Sequence, residues 1–145
     1  MRRRIFKGGH LYHVYNRGNR KKRIFYNEAD YEVFLGLLQR YQWKFKISVV
    51  GYCLMVNHYH LLIKLGEKTH VSKFMQGLGI SYTLYINKRY RLVGHVFQGR
   101  YQVKEIIGNA STRRIIEYFR NNPVKDGMVR DPIHYRWMQI QSDMI

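Results

Sequence analysis

Two histidines one residue apart, His58 and His60, stand in an otherwise apolar run from Val56 to Ile63. Alternate side chains of a strand share a face, so both imidazoles project with Leu62, while Tyr59, Leu61 and Ile63 form the other face. Two imidazoles on one face can share a metal ion; strand histidines also occur as plain hydrogen-bonded residues. Further on, Tyr118 and Asn122 are four residues apart in a helical pattern, with Arg114 one turn earlier on the same face. A tyrosine hydroxyl can form a covalent intermediate, but a phenol, protonated at neutral pH, needs help from a metal or a base. A metal held by His58 and His60 could polarise a scissile phosphate and stabilise the charge that builds on it. With thirteen tyrosines in the chain, a competing reading has Tyr118 packing on an amphipathic helix with its hydroxyl at the rim.

The cations point to a polyanionic partner. Lys and Arg outnumber Asp and Glu by 26 to 9, a formal net charge of +17, which raises the local concentration of nucleic acid. Arg17 and the run Arg20, Lys21, Lys22, Arg23 make a compact cationic loop at a strand exit, suited to a backbone phosphate. Arg100 is a further phosphate contact or a plain surface arginine. Acidic membrane surfaces are the rival partner, but the apolar run from Ile47 to Leu65 is broken by Asn57, His58 and His60 and falls short of a span. Basic residues at the start are followed by no apolar segment of secretory length, and a cytoplasmic protein is expected. Cys53 is the single cysteine; it reads as a small core residue, and a Cys-x-x-Cys metal site is excluded.

These residues need a scaffold, and the pattern supplies one. The 145 residues suit a single domain, with a basic arm over residues 1–8 and an irregular tail from about 128 to 145. His10 to Asn16 reads as a first strand ended by Arg17-Gly18-Asn19. Asn27 caps a helix running to about Phe45 on Tyr31, Phe34, Leu35, Leu38 and Tyr41. A strand follows from Lys46 to Val56, then the histidine strand, and a polar break over residues 66–69. A second helix runs from His70 to about Tyr90. The glycine-punctuated segment Gly94 to Tyr101 leads to a short strand near Gln102 to Ile107. A third helix opens at Asn109 to Thr112 and is expected to end near Asn121 and Asn122, because Pro123 disfavours helical geometry before it. The order strand, helix, strand, strand, helix, strand, helix predicts an α+β fold: an antiparallel sheet of ferredoxin-like or RNA-recognition type with helices packed on it.

Three segments together carry a resemblance. Tyr52 to Ile63 with its two histidines, Gly94-His95-Val96-Phe97-Gln98-Gly99-Arg100-Tyr101, and Ile116 to Val129 with Tyr118 and Asn-Pro-Val-Lys resemble the single-tyrosine HUH transposases (IS200-like). The last two segments are most similar to the REP-associated tyrosine transposases, and Tyr12 to Arg20 also fits. The resemblance implies that His58 and His60 are metal ligands, Tyr118 the nucleophile, and Asn122 the polar residue that completes the metal site, where the insertion-sequence branch often has Gln. It implies attack by Tyr118 on a single-stranded DNA phosphate, leaving a 5′-phosphotyrosine link and a free 3′ hydroxyl. The implied cofactor is Mg2+ or Mn2+, although imidazoles favour softer ions such as nickel or zinc. The implied partner is a DNA hairpin with a single-stranded flank, the basic surface tracking the backbone and aromatics stacking unpaired bases. Monomer and homodimer both stay open: insertion-sequence relatives pair as dimers in which the tyrosine helix reaches the partner's histidines, whereas the REP-associated branch includes monomers. Two other classes compete: a hairpin DNA- or RNA-binding module of the same fold without chemistry, and a hydrolytic metallonuclease that does not use Tyr118.

Overall fold

The computed structural model describes Phe6, residues 10–66 and residues 70–144. Arg2, Arg3, Arg4 and Lys7 of the expected basic arm, and residues 67–69 of the polar break, lie outside the described residues. The elements run β1 (Leu11–Arg17), a 3-10 turn (Asn19–Lys21), α1 (Glu28–Phe45), β2 (Ile47–Leu54), β3 (His58–Leu65), α2 (Val71–Tyr90), β4 (Gln102–Ile106) and α3 (Gly108–Lys125). A second 3-10 turn (Pro132–His134), β5 (Met138–Ile140) and a last turn (Ser142–Met144) follow. The sheet order is β4-β1-β3-β2-β5, and every pairing is antiparallel. This is the expected α+β arrangement of ferredoxin-like type, with β1 and β3 at its centre.

Strand alternation sorts the side chains onto two faces. Tyr12 and Val14 of β1 and Tyr59, Leu61, Ile63 and Leu65 of β3 join Phe34 and Leu38 of α1 and Phe74, Leu78 and Tyr82 of α2 in one core. The opposite face carries Leu62 with Val50, Cys53 and Met55, covered by Ile116 and Phe119 of α3 and by Tyr135. His13, His58 and His60 belong to this second face, and α3 is the helix that lies on it. Phe119 is fully buried, which contributes on the order of 2 kcal/mol to seating α3 and fixes where its neighbour Tyr118 emerges.

The helix start at Asn27 is reinforced by Asp30, whose Oδ2 accepts from the Asn27 and Tyr26 backbone N–H groups at 3.1 and 2.8 Å. The same carboxylate accepts from the hydroxyls of Tyr85 and Tyr90 on α2 at 2.8 and 2.6 Å. One buried carboxylate therefore caps α1 and ties it to α2.

Two expectations need correction. The third helix passes through Pro123 to Lys125 instead of stopping at Asn121 and Asn122. The constraint a proline places on its predecessor is a bias, and here Pro123 is buried on the same helix face as Ile116 and Phe119. Its carbonyl accepts from the Met128 and Val129 N–H groups at 2.9 and 3.4 Å, which closes the chain after the helix. The stretch read as an irregular tail contributes β5, which pairs with β2 through Gly51–Ile140, Tyr52–Gln139 and Cys53–Met138. Tyr135 is buried in the α3 core, with its hydroxyl donating to the Leu54 carbonyl. This segment ties down the tyrosine helix. Among the described residues, no helix is long and apolar enough to cross a membrane.

Candidate active site

Antiparallel pairing sets β1 beside β3 with Arg17 opposite His58, Tyr15 opposite His60 and His13 opposite Leu62. That register brings the end of β1 to the two histidines. Gly18 then turns the chain so tightly that a Cβ there would stand 2.0 Å from the Lys22 carbonyl oxygen, so only glycine fits. Arg20 and Lys21 follow with φ of 56° and 59°, a left-handed geometry that costs non-glycine residues energy and concentrates at functional loops. The turn is held by Gly18 N–H donating to the Asn57 carbonyl at 2.8 Å and by Asn57 Nδ2 donating to the Lys21 carbonyl at 3.3 Å.

The glycine-punctuated segment after α2 closes the other side. Gln98 N–H donates to the Arg17 carbonyl at 2.9 Å, and Arg17 Nε donates to Gln98 Oε1 at 2.8 Å. Between these walls lies a cavity of about 730 Å³, with His58, His60, Arg17, Lys21, Arg100 and Asp126 among its lining residues.

Both histidines have their Nδ1 engaged. His58 Nδ1 is 2.7 Å from Asn57 Oδ1, and because an amide oxygen can only accept, the His58 Nδ1–H is the donor. His60 Nδ1 is 2.9 Å from His13 Nε2. Among the described residues, His60 Nε2 is the buried side-chain nitrogen or oxygen that lacks a hydrogen-bond partner. His60 is only 4 % exposed, so that orphaned atom has a cost unless something binds it.

Burial holds these imidazoles neutral. Desolvation, with the neighbouring His13 and His58 adding to it, pushes His60 down to about 2. Burial, followed by the Lys104 ammonium, pushes His13 down to about 4. His58 is also lowered, by burial first; the Asp126 carboxylate and a hydrogen bond with Asn122 work in the opposite direction. A neutral imidazole with a bare Nε2 is the form that binds metal.

Tyr118 stands beside the buried histidines. Its ring meets His60 edge to face at a centroid distance of 5.3 Å and His13 at 6.2 Å, all within one chain. The side chain is 49 % exposed, so it is not a packing residue of the core, unlike Phe119 beside it. Continuation of α3 through Pro123 keeps Asn122 helical on the Tyr118 face, its Nδ2 donating to the Tyr118 carbonyl at 3.1 Å. Asp126, at the end of the same face, is the helix C-cap.

The sequence-predicted cations divide. Arg17, Lys21 and Arg100 line the cavity. Lys22 is exposed on the same loop. Arg20 is likewise exposed, and Arg23, whose Nε donates to the Phe25 carbonyl at 3.3 Å, stacks over Tyr26 at 5.7 Å. Arg114 bonds Ser111 Oγ at 2.9 Å on the first turns of α3, away from the cavity lining. His13, Asn57 and Asp126 were not singled out as site residues from sequence. The available signal was a further histidine on the first strand, His13, whose side chain reaches diagonally across the β1–β3 pair to His60.

The donor set fits a divalent ion in part. Two imidazoles with Nδ1 engaged, that of His60 with an unpartnered Nε2, suit one, and Asn122 and Asp126 stand near His58 with oxygen donors. Among the described residues no three His, Cys, Asp or Glu side chains form a ready cage, so coordination positions would remain for an amide or for substrate oxygens, as in an open catalytic site.

A family model described as "Transposase IS200 like" matches residues 7–122. A solved structure described as a REP-associated tyrosine transposase bound to a REP hairpin superposes with a TM-score of 0.79 at 19% identity, covering 95% of this chain and 80% of that one. A crystal structure of a protein from Deinococcus radiodurans R1, assigned as a transposase, superposes with a TM-score of 0.57 at 15% identity, covering 83% and 95% of the two chains. A search of curated proteins gives no match.

Proposed function

The chain belongs to the IS200-like transposase family, and from that premise we propose that it cleaves and rejoins single-stranded DNA beside a hairpin, through a covalent link to Tyr118. The observation that carries this reading is the Tyr118 ring, half-exposed and edge-to-face with His60 at 5.3 Å, His60 being one of the two strand histidines that line the cavity.

The phenol oxygen of Tyr118 attacks the scissile phosphorus, the bond to the 3′ oxygen breaks, and the DNA keeps a free 3′ hydroxyl while the 5′ phosphate stays on the tyrosine. A 3′ hydroxyl attacking that link rejoins strands without external energy, because one phosphodiester replaces another. Arg17, Lys21 and Arg100 hold the flanking phosphates, and Arg20, Lys22, Arg23 and Arg114 extend the basic track along the strand. His58 and His60, with Asn122, are the residues that would hold a divalent ion, Mg2+ or Mn2+. Such an ion supplies charge to a non-bridging phosphate oxygen as the transition state forms. His60, kept neutral by burial, remains available as a ligand through the physiological pH range. The site is complete within one chain in this reading, so a monomer suffices for cleavage.

A hairpin was the partner of the REP-associated structure that this fold resembles, and +17 of formal charge suits the same class of ligand here. The test is a denaturing gel of protein incubated with Mn2+ and labelled hairpin oligonucleotides taken from repeats beside the source gene. A protein-linked band is expected, and it disappears in Tyr118→Phe while hairpin binding persists. Cleavage that survives in Tyr118→Phe supports the hydrolytic class instead, and binding without any covalent band supports a binding module.

A further inference from the structure

The histidine of β1 is outside the ligand set named above, yet it makes a hydrogen bond that orients a member of that set. His13 Nε2 lies 2.9 Å from His60 Nδ1, with the two rings stacked at 5.1 Å and 30°. Both residues are buried, at 6 % and 4 % exposure. His13 is itself fixed, stacked on Tyr15 at 4.6 Å and edge-on to Phe119 at 5.5 Å. We propose that His13 is a positioning residue that accepts the Nδ1–H of His60 and thereby keeps His60 Nε2 bare for a divalent cation. The inference rests on the reading of His58 and His60 as metal ligands and adds a residue to it.

Hydrogen counting decides between the two directions of this bond. A neutral imidazole carries one N–H, so the bond between two neutral imidazoles has one donor and one acceptor. If His13 donated, the proton of His60 would sit on Nε2, a buried atom without a partner, and would block coordination there. If His60 donates, its Nε2 carries a lone pair and the missing partner is an electron-pair acceptor. The second arrangement matches what happens at His58, where Asn57 Oδ1 can only accept from Nδ1–H. Each histidine of the strand pair then has a neighbour that fixes its tautomer, one from the preceding residue and one from across the sheet. Such partners tune both ligand orientation and basicity.

Substitutions at 13 separate this role from packing. The amide oxygen of Gln reaches about as far as the imidazole Nε2, that of Asn only about as far as Nδ1, and Phe fills the space with no acceptor. Mn2+ binding to the DNA-free chain is measured by titration calorimetry, beside thermal melting in EDTA. Loss of a supporting partner of this kind costs roughly 10- to 100-fold in metal affinity. His13→Phe and His13→Asn are expected to show that loss, and His13→Gln to stay within about threefold of wild type. Wild-type affinity in all three variants, or Gln as weak as Asn, overturns the proposal, and the Gln–Asn comparison stands even if the Phe variant fails to fold. His60→Ala run alongside tells the two failures apart. If it abolishes binding while His13→Asn does not, the role of His13 is lost and the ligand reading remains. If it binds Mn2+ like wild type, the ligand assignment falls and His13 falls with it.

Discussion

Acid is the perturbation that most directly reads the burial of the site. His13 and His60 are 6 % and 4 % exposed and held down to about 4 and about 2, against roughly 6.5 in an unfolded chain. Between pH 6.5 and the folded values, the unfolded chain binds protons that the native protein does not, so stability must fall as pH falls. At pH 5 each imidazole contributes a loss of about 2 kcal/mol relative to pH 8, and the pair about 4 kcal/mol. With a urea slope of about 2 kcal/mol/M for a chain of this size, the midpoint moves down by about 2 M. The assay is urea unfolding in EDTA at several pH values, for wild type and for the His13→Phe/His60→Phe variant. Titration of the remaining groups cancels in the comparison. The variant should lose about 4 kcal/mol less than wild type between pH 8 and pH 5. Equal acid dependence in the two proteins refutes the buried, neutral pair.

Other parts of the structure give their own tests. Cys53 is fully buried and its thiol is pushed up to about 12 by burial, with the Asp126 carboxylate adding to it; a disulfide reagent should leave it unmodified in buffer and react stoichiometrically in guanidinium, and rapid labelling of the native protein would contradict that burial. Asp30→Ala removes the acceptor shared by two backbone N–H groups and the Tyr85 and Tyr90 hydroxyls and should cost about 3–5 kcal/mol by urea unfolding; a loss below about 1 kcal/mol would show that water replaces those bonds. Lys21→Ala, at the cavity wall, should reduce the salt slope of single-strand binding by about 0.7, as expected for one lost phosphate contact; an unchanged slope removes Lys21 from the DNA path.

The parts of the site legible in sequence are those carried by local periodicity. A period of two put His58 and His60 on one face, and a spacing of four put Tyr118 above Asn122; both relations survive in β3 and α3. What brings the two groups together was not local. His13 reaches His60 across 47 positions of sequence through a cross-strand register that no single segment reveals. The cationic loop was visible as composition, but its division between cavity-lining Arg17 and Lys21 and the outward-facing remainder depends on the Gly18 turn and on two left-handed residues. Pro123 misled because its ring finds a buried site within a helix whose hydrophobic face outweighs the local bias. β5 is three residues long, too short for alternation to register, and exists because β2 offers it an edge.

The central claim, that Tyr118 becomes covalently joined to DNA, is tested most directly by mass spectrometry of the trapped adduct. Trypsin cuts after Arg114 and Arg120, so Tyr118 falls in the peptide Ile115–Arg120, and nuclease treatment trims the DNA to a short 5′-linked remnant. This peptide is expected to carry the nucleotide mass on Tyr118 through a phosphodiester. A remnant on any other residue, or cleaved DNA that carries a free 5′ phosphate with this peptide unmodified, would contradict it.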